Sequence, residues 1–337
     1  MKTLVTGSTG GVGSTLVERL VAHGYDVRAL ARKTSDVSHL RTTKAETVFG
    51  DITKYDTLPP IVKGIDIVFH CAAKVTPGWG TWAEYEATTV NGTQNLLRAS
   101  AEARVKRFLQ VSSMTVYGVA CRKEGFPANE NTPCDALKTP ERYYDYSKLM
   151  AEQACWEYHK QSKIQVSMIR IGSSYGLRDR LLSEKNYINT LGPLVVFPGS
   201  RNPRYAIVNS YDIAEFAILA ATSDKAVGQV YNVAGPDVVT LRDFTKAMAK
   251  AQGGPKIMVN MPYSLAHFLG GLLEAFAKLR RSKQPPFLTR YYIEQLDEDG
   301  LLDGSKAKRE LGWAPQISLE EGTKQYVQWR KRKNKRK

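Results

Sequence analysis

"TLVTGSTGGVGSTLVERL", residues 3–20, runs from an apolar stretch through a glycine-rich turn into a helical pattern. Gly7, Gly10 and Gly13 are spaced by three. The first suits a tight turn. The second lets a pyrophosphate approach the backbone, and the third lets helix and strand pack closely. The helix that follows offers free N–H groups and the positive end of its dipole to an anion. Strand, glycine turn and helix in this order read as the start of a dinucleotide-binding α/β unit.

Further runs of strand length follow: "DVRALA" at 26–31, "TVFG" at 47–50, "DIVFHCA" at 66–72, "RFLQVSS" at 107–113 and "QVSMIRI" at 165–171. Helical patterns lie between most of them. Such alternation predicts a parallel sheet covered on both faces. After about residue 175 the pattern loosens. Gly192-Pro193, Pro198-Gly199 and Pro203 punctuate it, and shorter elements such as "QVYNVAG" (229–235) and "TLRDFTKAMAKAQG" (240–253) read as a smaller lobe. The division is a dinucleotide domain at 1–175, a substrate lobe at 176–329 with some return to the sheet, and a basic tail at 330–337.

The 337 residues are 42% hydrophobic and 24% charged, ordinary for a globular chain. Net charge is +15, and the last ten residues, "QWRKRKNKRK", hold seven of the basic groups. That run reads as a solvated tail, with an anchor for anionic lipid as the alternative. No nucleic-acid motif accompanies it. Cys71, Cys121, Cys134 and Cys155 show no close pairing and read as reduced thiols of a cytoplasmic protein. No metal is expected. Glycine arrives within seven residues of the start, so no signal peptide is expected. In "PYSLAHFLGGLLEAFAKLRR" (262–281), Leu265, Phe268, Leu269, Leu272, Leu273, Phe276 and Leu279 fall on helical spacing. A helix packed on the lobe is expected. The alternative is an interfacial helix with Lys278, Arg280 and Arg281 at its basic end, in weak peripheral contact with a membrane.

The second strand ends in Arg32 and Lys33 with no acid beside them. Two cations suit a 2′-phosphate, so NADP is favoured over NAD. In "YYDYSKLMAEQ" (143–153), Tyr144 and Lys148 are four apart and share a helix face. A nearby ammonium lowers a phenol's pKa and fits it to give or take a proton at a carbonyl or alcohol oxygen.

With these residues in hand the chain resembles an extended short-chain dehydrogenase/reductase over nearly its whole length. The motifs are "TGSTGGVG" (6–13), "GDIT" (50–53), "HCAA" (70–73), "VNGTQNLL" (90–97), "SSMTVYG" (112–118), "YDYSK" (144–148) and "IRIGSSYG" (169–176). The resemblance implies a Rossmann-type doubly wound parallel sheet with a smaller C-terminal substrate-binding lobe. It implies Ser113, rather than Ser112, as the catalytic hydroxyl and Tyr144 as acid/base. Lys148 would be its pKa partner and a ribose ligand, and Asn91 the fourth catalytic residue. Cofactor contacts are implied at Gly7, Thr9, Gly10, Gly11, Val12, Gly13, Asp51, Ile52, Cys71, Ala72 and Ala73. Ile171 departs from the proline that usually follows the arginine of the last motif. His70 reads as a packing residue at a strand end. The helices near 82–103 and 143–160 resemble the pair through which the family forms homodimers, with Leu149, Ala154 and Trp156 as surplus apolar positions.

Nucleotide-sugar dehydratases carry Asp-Glu after the catalytic hydroxyl. This chain has Met114-Thr115, which excludes that reaction. "AAKVTPGWGTWAEYEATTVNGT" (72–93) follows the strand end "HCAA" and carries Trp79, Trp82 and Tyr85, which suit a flat or long apolar ligand. That loop and residues 285–315 resemble the 3β-hydroxysteroid dehydrogenase branch. The resemblance implies an NADP-dependent oxidoreductase of an apolar secondary alcohol or ketone, sterol-like or a long-chain 3-oxo acid. Lys74, Trp79, Trp82 and Tyr175 are its candidate substrate contacts. A nucleotide-sugar epimerase with tightly held NAD is the alternative. A non-catalytic NADP sensor is a third class, and the intact Ser113, Tyr144 and Lys148 argue against it.

Overall fold

Leu4 and Val5 point to opposite sides of the first strand, and both are fully buried. A strand apolar on both faces needs cover on both, which a parallel sheet with helices on each side supplies. The computed structural model describes residues 1–76, 78–189, 192–198, 202–254, 257–282, 284–295 and 298–335. Its strands are β1 (Lys2–Thr6), β2 (Asp26–Ala31), β3 (Glu46–Phe49), β4 (Ile67–His70), β5 (Arg107–Ser113), β6 (Gln165–Ile171), β7 (Ser173–Tyr175), β8 (Leu194–Pro198), β9 (Arg204–Asn209), β10 (Val230–Val233), β11 (Val238–Thr240) and β12 (Ile257–Met261). The longer helices are α1 (Gly11–Ala22), α2 (Gly92–Glu102), α3 (Tyr143–Lys160), α4 (Leu182–Asn189), α5 (Ser210–Thr222), α6 (Leu241–Gln252), α7 (Tyr263–Leu279), α8 (Arg290–Gln295), α9 (Ser305–Leu311) and α10 (Leu319–Lys335).

Seven strands form one parallel sheet in the order β10-β6-β5-β4-β1-β2-β3. Strand alternation divides the core. Val5, Phe69, Leu109 and Ile169 meet α1 and α5 on one face, while Leu4, Val68, Phe108 and Met168 meet α2 and α3 on the other. The order reverses between β1 and β4, and the crevice at their C-terminal ends is where such sheets bind ligands.

The chain leaves the sheet after β6 to build the lobe. There β7, β9 and β11 form one small sheet and β8 pairs with β12. Tyr175, Ile207, Phe244, Met248, Tyr326 and Val327 form its core. Four expectations change here. "QVYNVAG" supplies β10 of the main sheet, because Val230–Val233 pairs with β6 rather than with the lobe. The basic run continues α10 as far as Lys335, and Arg330 pairs with Glu184 at 3.0 Å; residues 336–337 lie outside the described residues. Ala154 belongs to the core under α3, while Leu149 and Trp156 are half-buried. Helix α7 packs through Ala266, Gly270 and Glu274, so most of its large apolar side chains are left outside.

One buried ion pair ties α3 to β6. Arg170 donates to Glu152 from Nε at 3.0 Å and from Nη2 at 2.7 Å, and both residues are almost fully enclosed. Removing one partner strands the other charge in a low dielectric. Arg170→Met should therefore lower the unfolding free energy by about 3–5 kcal/mol, read from urea midpoints. The double change Glu152→Leu/Arg170→Met should recover much of that loss. A loss below about 1 kcal/mol for the single variant would contradict a buried pair.

Candidate active site

The glycine turn is built as its spacing requires. Gly7 has φ +66, and a Cβ there would lie 2.8 Å from the Ala72 nitrogen; a Cβ on Gly13 would lie 2.3 Å from the Gly7 oxygen. Helix α1 starts after Gly10 with no side-chain cap and no acid in its first turn. Its leading N–H groups are thus left to an anion, which fits the pyrophosphate of a dinucleotide. Gly11 and Val12 begin that helix, and Thr9 precedes it. Ser8 Oγ donates to Leu30 O at 2.7 Å, which ties the turn to the end of β2. Arg32 and Lys33 follow immediately and are exposed. Asp51 caps its own turn by accepting from the Thr53 N–H at 2.9 Å. Ile52 is buried under Gly92, and its carbonyl accepts from Asn95 Nδ2 at 2.9 Å. The ends of β3 and the start of α2 are thereby joined.

Next to this cradle, β5 ends at Ser113 and α3 opens with Tyr143 and Tyr144. Tyr144 lies beside Ser113, whose hydroxyl acts on the phenol. The Ser113 hydroxyl also accepts from Thr115, from N–H at 3.3 Å and from Oγ1 at 3.1 Å. Ser112 is buried with an unpartnered hydroxyl, so the structure puts Ser113 on the phenol. Tyr143 and Tyr146 turn away to Trp82, with ring centroids at 5.7 and 5.3 Å. The three tyrosines of 143–146 therefore divide into one in the site and two in an aromatic wall.

Lys148 Nζ donates to Val111 O at 2.8 Å. Burial lowers its ammonium to about 8, with Cys71 acting the other way. Tyr144 is raised above the ordinary phenol value by burial first; Ser113 opposes that, and Asp145 and Tyr85 add to it. The expected acidification by Lys148 is not among the causes acting on the phenol, where burial dominates. Cys71 is pushed up to about 12 by burial, and Ala72 N–H donates to Thr6 Oγ1 at 3.2 Å. Cys71 to Ala73 continue from β4 beside Gly7. His70 is held between Thr6 Oγ1 at 2.6 Å and Thr93 Oγ1 at 3.0 Å. Burial takes it down to about 3, so it stays neutral as a packing residue. Asn91 closes a π-helical turn at Glu86–Asn91, exposed, with no hydrogen bond to Ser113, Tyr144 or Lys148.

None of the four substrate candidates lines the cavity that reaches Ser113. Tyr175 lies in the lobe core against Phe244, and its hydroxyl donates to Ser318 O at 3.2 Å. Lys74 stays in its own loop, 3.6 Å from Glu84 and over the Tyr85 ring. Trp79 is buried under Lys278, while Trp82 is half-buried against α3 and Lys138. The cavity that reaches Ser113 is small, about 90 Å³; Met114, Thr115, Arg122, Ser173, Tyr205 and Glu298 are among the residues that line it. A larger one of about 310 Å³ shares Arg122 and is lined by Val119, Ala136, Leu137, Arg142 and Asp145. Another hollow, of about 610 Å³, lies at the other end of the sheet by Met1, Ile67 and Gln165, far from these groups.

Sequence reading missed two features. Asp145 is buried next to Tyr144, bonded to Arg122 at 2.9 Å and 3.8 Å from Arg142; burial raises it to about 6 against the pull of Arg122. Arg178 lies on α1, donating to Ser14 Oγ at 2.7 Å and pairing with Glu18 at 2.8 Å. Asp145 sits inside a quoted motif, but Arg122 and Arg178 carry no local signal.

Residues 3–234 match the pattern of the NAD dependent epimerase/dehydratase family. The chain belongs to this family. It is an enzyme of the extended short-chain dehydrogenase/reductase type, working with NAD(P). It is 27% identical over 334 residues to a 2-alkyl-3-oxoalkanoate reductase of Shewanella oneidensis, spanning 95% of this chain and 84% of that one. It is 28% identical over 344 residues to a 3-beta-hydroxysteroid dehydrogenase of Mycolicibacterium neoaurum, spanning 95% and 88%. The UDP-glucose 4-epimerase structure from Thermotoga maritima superposes with a TM-score of 0.80 at 22% identity, over 99% of this chain and 100% of that one, and shows the shared fold. Among the described residues no helix is long and apolar enough to cross a membrane.

Lys148 yields a test of the buried site in the folded enzyme. Its folded pKa of about 8 lies below the ordinary 10.5, so above pH 8 the unfolded chain binds more protons than the folded one. Stability from this group therefore rises with pH across that window. Relative to Lys148→Met, the wild type should be level below about pH 8 and gain up to roughly 3 kcal/mol by pH 10.5. A flat difference in urea titrations would show that the ammonium is not desolvated.

Proposed function

We propose that this enzyme moves a hydride between NADP(H) and an apolar secondary alcohol or its ketone, with a long-chain 3-oxo acid or a sterol-like molecule as the substrate class. The observation that carries the reading is the placing of Ser113 beside the Tyr144 phenol at the end of β5, next to the glycine cradle. When bound, the dinucleotide supplies or accepts the hydride. Tyr144, kept protonated by burial, donates its hydroxyl proton to the substrate oxygen as the carbonyl becomes an alcohol. Ser113 holds the same oxygen. Lys148, set by its bond to Val111 O, would hold the ribose. A phenol held in its protonated form suits the reductive direction.

The names of the relatives support an oxidoreductase, and 2-alkyl-3-oxoalkanoates and 3β-hydroxysteroids are the substrates to try first. With NADPH and a 2-alkyl-3-oxoalkanoate, or with NADP and a 3β-hydroxysteroid, turnover should be seen by cofactor absorbance. Tyr144→Phe should cut it by about 10²–10⁴-fold with the fold intact, whereas Tyr143→Phe should not. Epimerisation of UDP-glucose without added cofactor would overturn the reading.

Arg32 and Lys33 support NADP over NAD, since they stand exposed where a 2′-phosphate would lie and no acid ends β2. Arg32→Ala should weaken NADP binding about ten- to a hundredfold and leave NAD nearly unchanged, by titration of the pure chain. Equal losses would show that Arg32 does not read the phosphate.

A further inference from the structure

Helix α7 carries an apolar face that the lobe does not cover. Leu265, Phe268, Leu272, Phe276 and Leu279 recur every three or four residues along one stripe. Phe268 is 62% exposed and Leu279 is 82% exposed, where a packed helix would have buried both. The opposite seam is finished. Ala266 and Gly270 are buried, and the Cβ position of Gly270 lies 3.0 Å from Ile293 Cδ1 of α8. Glu274 accepts from Arg290 N at 2.8 Å and from Arg290 Nε at 3.0 Å.

The charges say what covers the stripe. Glu274 is the helix's acid, and it is turned into the seam; the first turn has none. The exposed side ends in Lys278, Arg280 and Arg281, and the Arg280 guanidinium lies 4.1 Å over the Phe276 ring. The face is therefore apolar with a purely positive end. Two copies pairing antiparallel through it would set those cations against a first turn that holds no acid of its own. A bilayer with anionic headgroups matches both features. At 17 residues the helix is about 25 Å long and fits in the interface plane.

We infer that α7 docks the enzyme on an anionic lipid surface, its apolar stripe entering the acyl boundary and its basic end meeting the headgroups. Lys278 also reaches over Trp79, 5.9 Å from the ring centroid, so docking brings the 74–85 loop beside the lipid. An apolar substrate would make this useful, but the contact rests on the helix surface and not on the reductase reading.

Flotation of the full chain with phosphatidylcholine vesicles, with and without phosphatidylglycerol, tests it at physiological salt. Binding to the anionic vesicles is expected. The variant Phe268→Asp/Leu272→Asp/Phe276→Asp should lose it by at least ~tenfold. Replacing Lys278, Arg280 and Arg281 by Gln should weaken it by about fivefold per group, on anionic vesicles only. Both variants change exposed positions, and an unaltered thermal midpoint and NADP affinity would show that they fold. The inference is overturned if the wild type stays off anionic vesicles, or if the apolar variant floats as well as the wild type. It is equally overturned if the wild type sediments as a dimer that the apolar variant splits, with no vesicle binding, since a second copy would then cover the stripe.

Discussion

Gly7 leaves β1 so close to β4 that a side chain there would meet the backbone of Cys71 and Ala72, and Gly13 comes as close to the carbonyl of Gly7. These two approaches clamp β1, the turn, α1 and the end of β4 at the point where the strand order reverses. The anion cradle exists only while they hold. β5 lies next to β4, so the same clamp sets where Ser113 ends. Helix α3 packs on β5 and brings Tyr144 to that hydroxyl. His70, bonded to Thr6 and Thr93, braces β1 and α2 from beneath. Chemistry and cofactor site share one backbone constraint.

The electrostatics of the site come from burial more than from pairing. Lys148 is lowered, Tyr144 and Asp145 are raised, and His70 is kept neutral, each with desolvation as the largest cause. A low-dielectric crevice favours the uncharged form of every group in it. The exposed cations, Arg32 and Lys33, stand outside this crevice. The groups proposed to handle the proton thus lie in the crevice, and the exposed cations at its rim. Asp145 sits between the two regimes, with Arg122 and Arg142 drawn in beside it.

The lobe follows another logic. Its core, around Tyr175, Phe244 and Tyr326, joins α6 and α10. Helix α7 stands apart, held to α8 by a seam of small residues, the Glu274–Arg290 ion pair and the His267–Glu294 contact. A small-residue seam needs little area to close, which leaves the broad apolar side of the helix outside. Trp79, in the segment after β4, lies under Lys278 of this helix.

What the sequence determined by itself is the part governed by fixed periods. Glycines spaced by three, strands alternating between two faces, and a tyrosine one turn from a lysine place their groups at offsets that backbone geometry dictates. The sheet and the cradle were legible for that reason, whereas Ser113 came from the family resemblance. What only the tertiary structure decided is which neighbours each side chain meets. Tyr175 looked like a substrate contact, but Phe244 and Ser318, distant in sequence, take it into the lobe core. Lys148 has the register to act on Tyr144, yet Val111 holds its ammonium. The spacing of α7 announced a helix without saying which side would be covered. Burial and pKa are sums over atoms brought from separate segments, and no local pattern contains those sums.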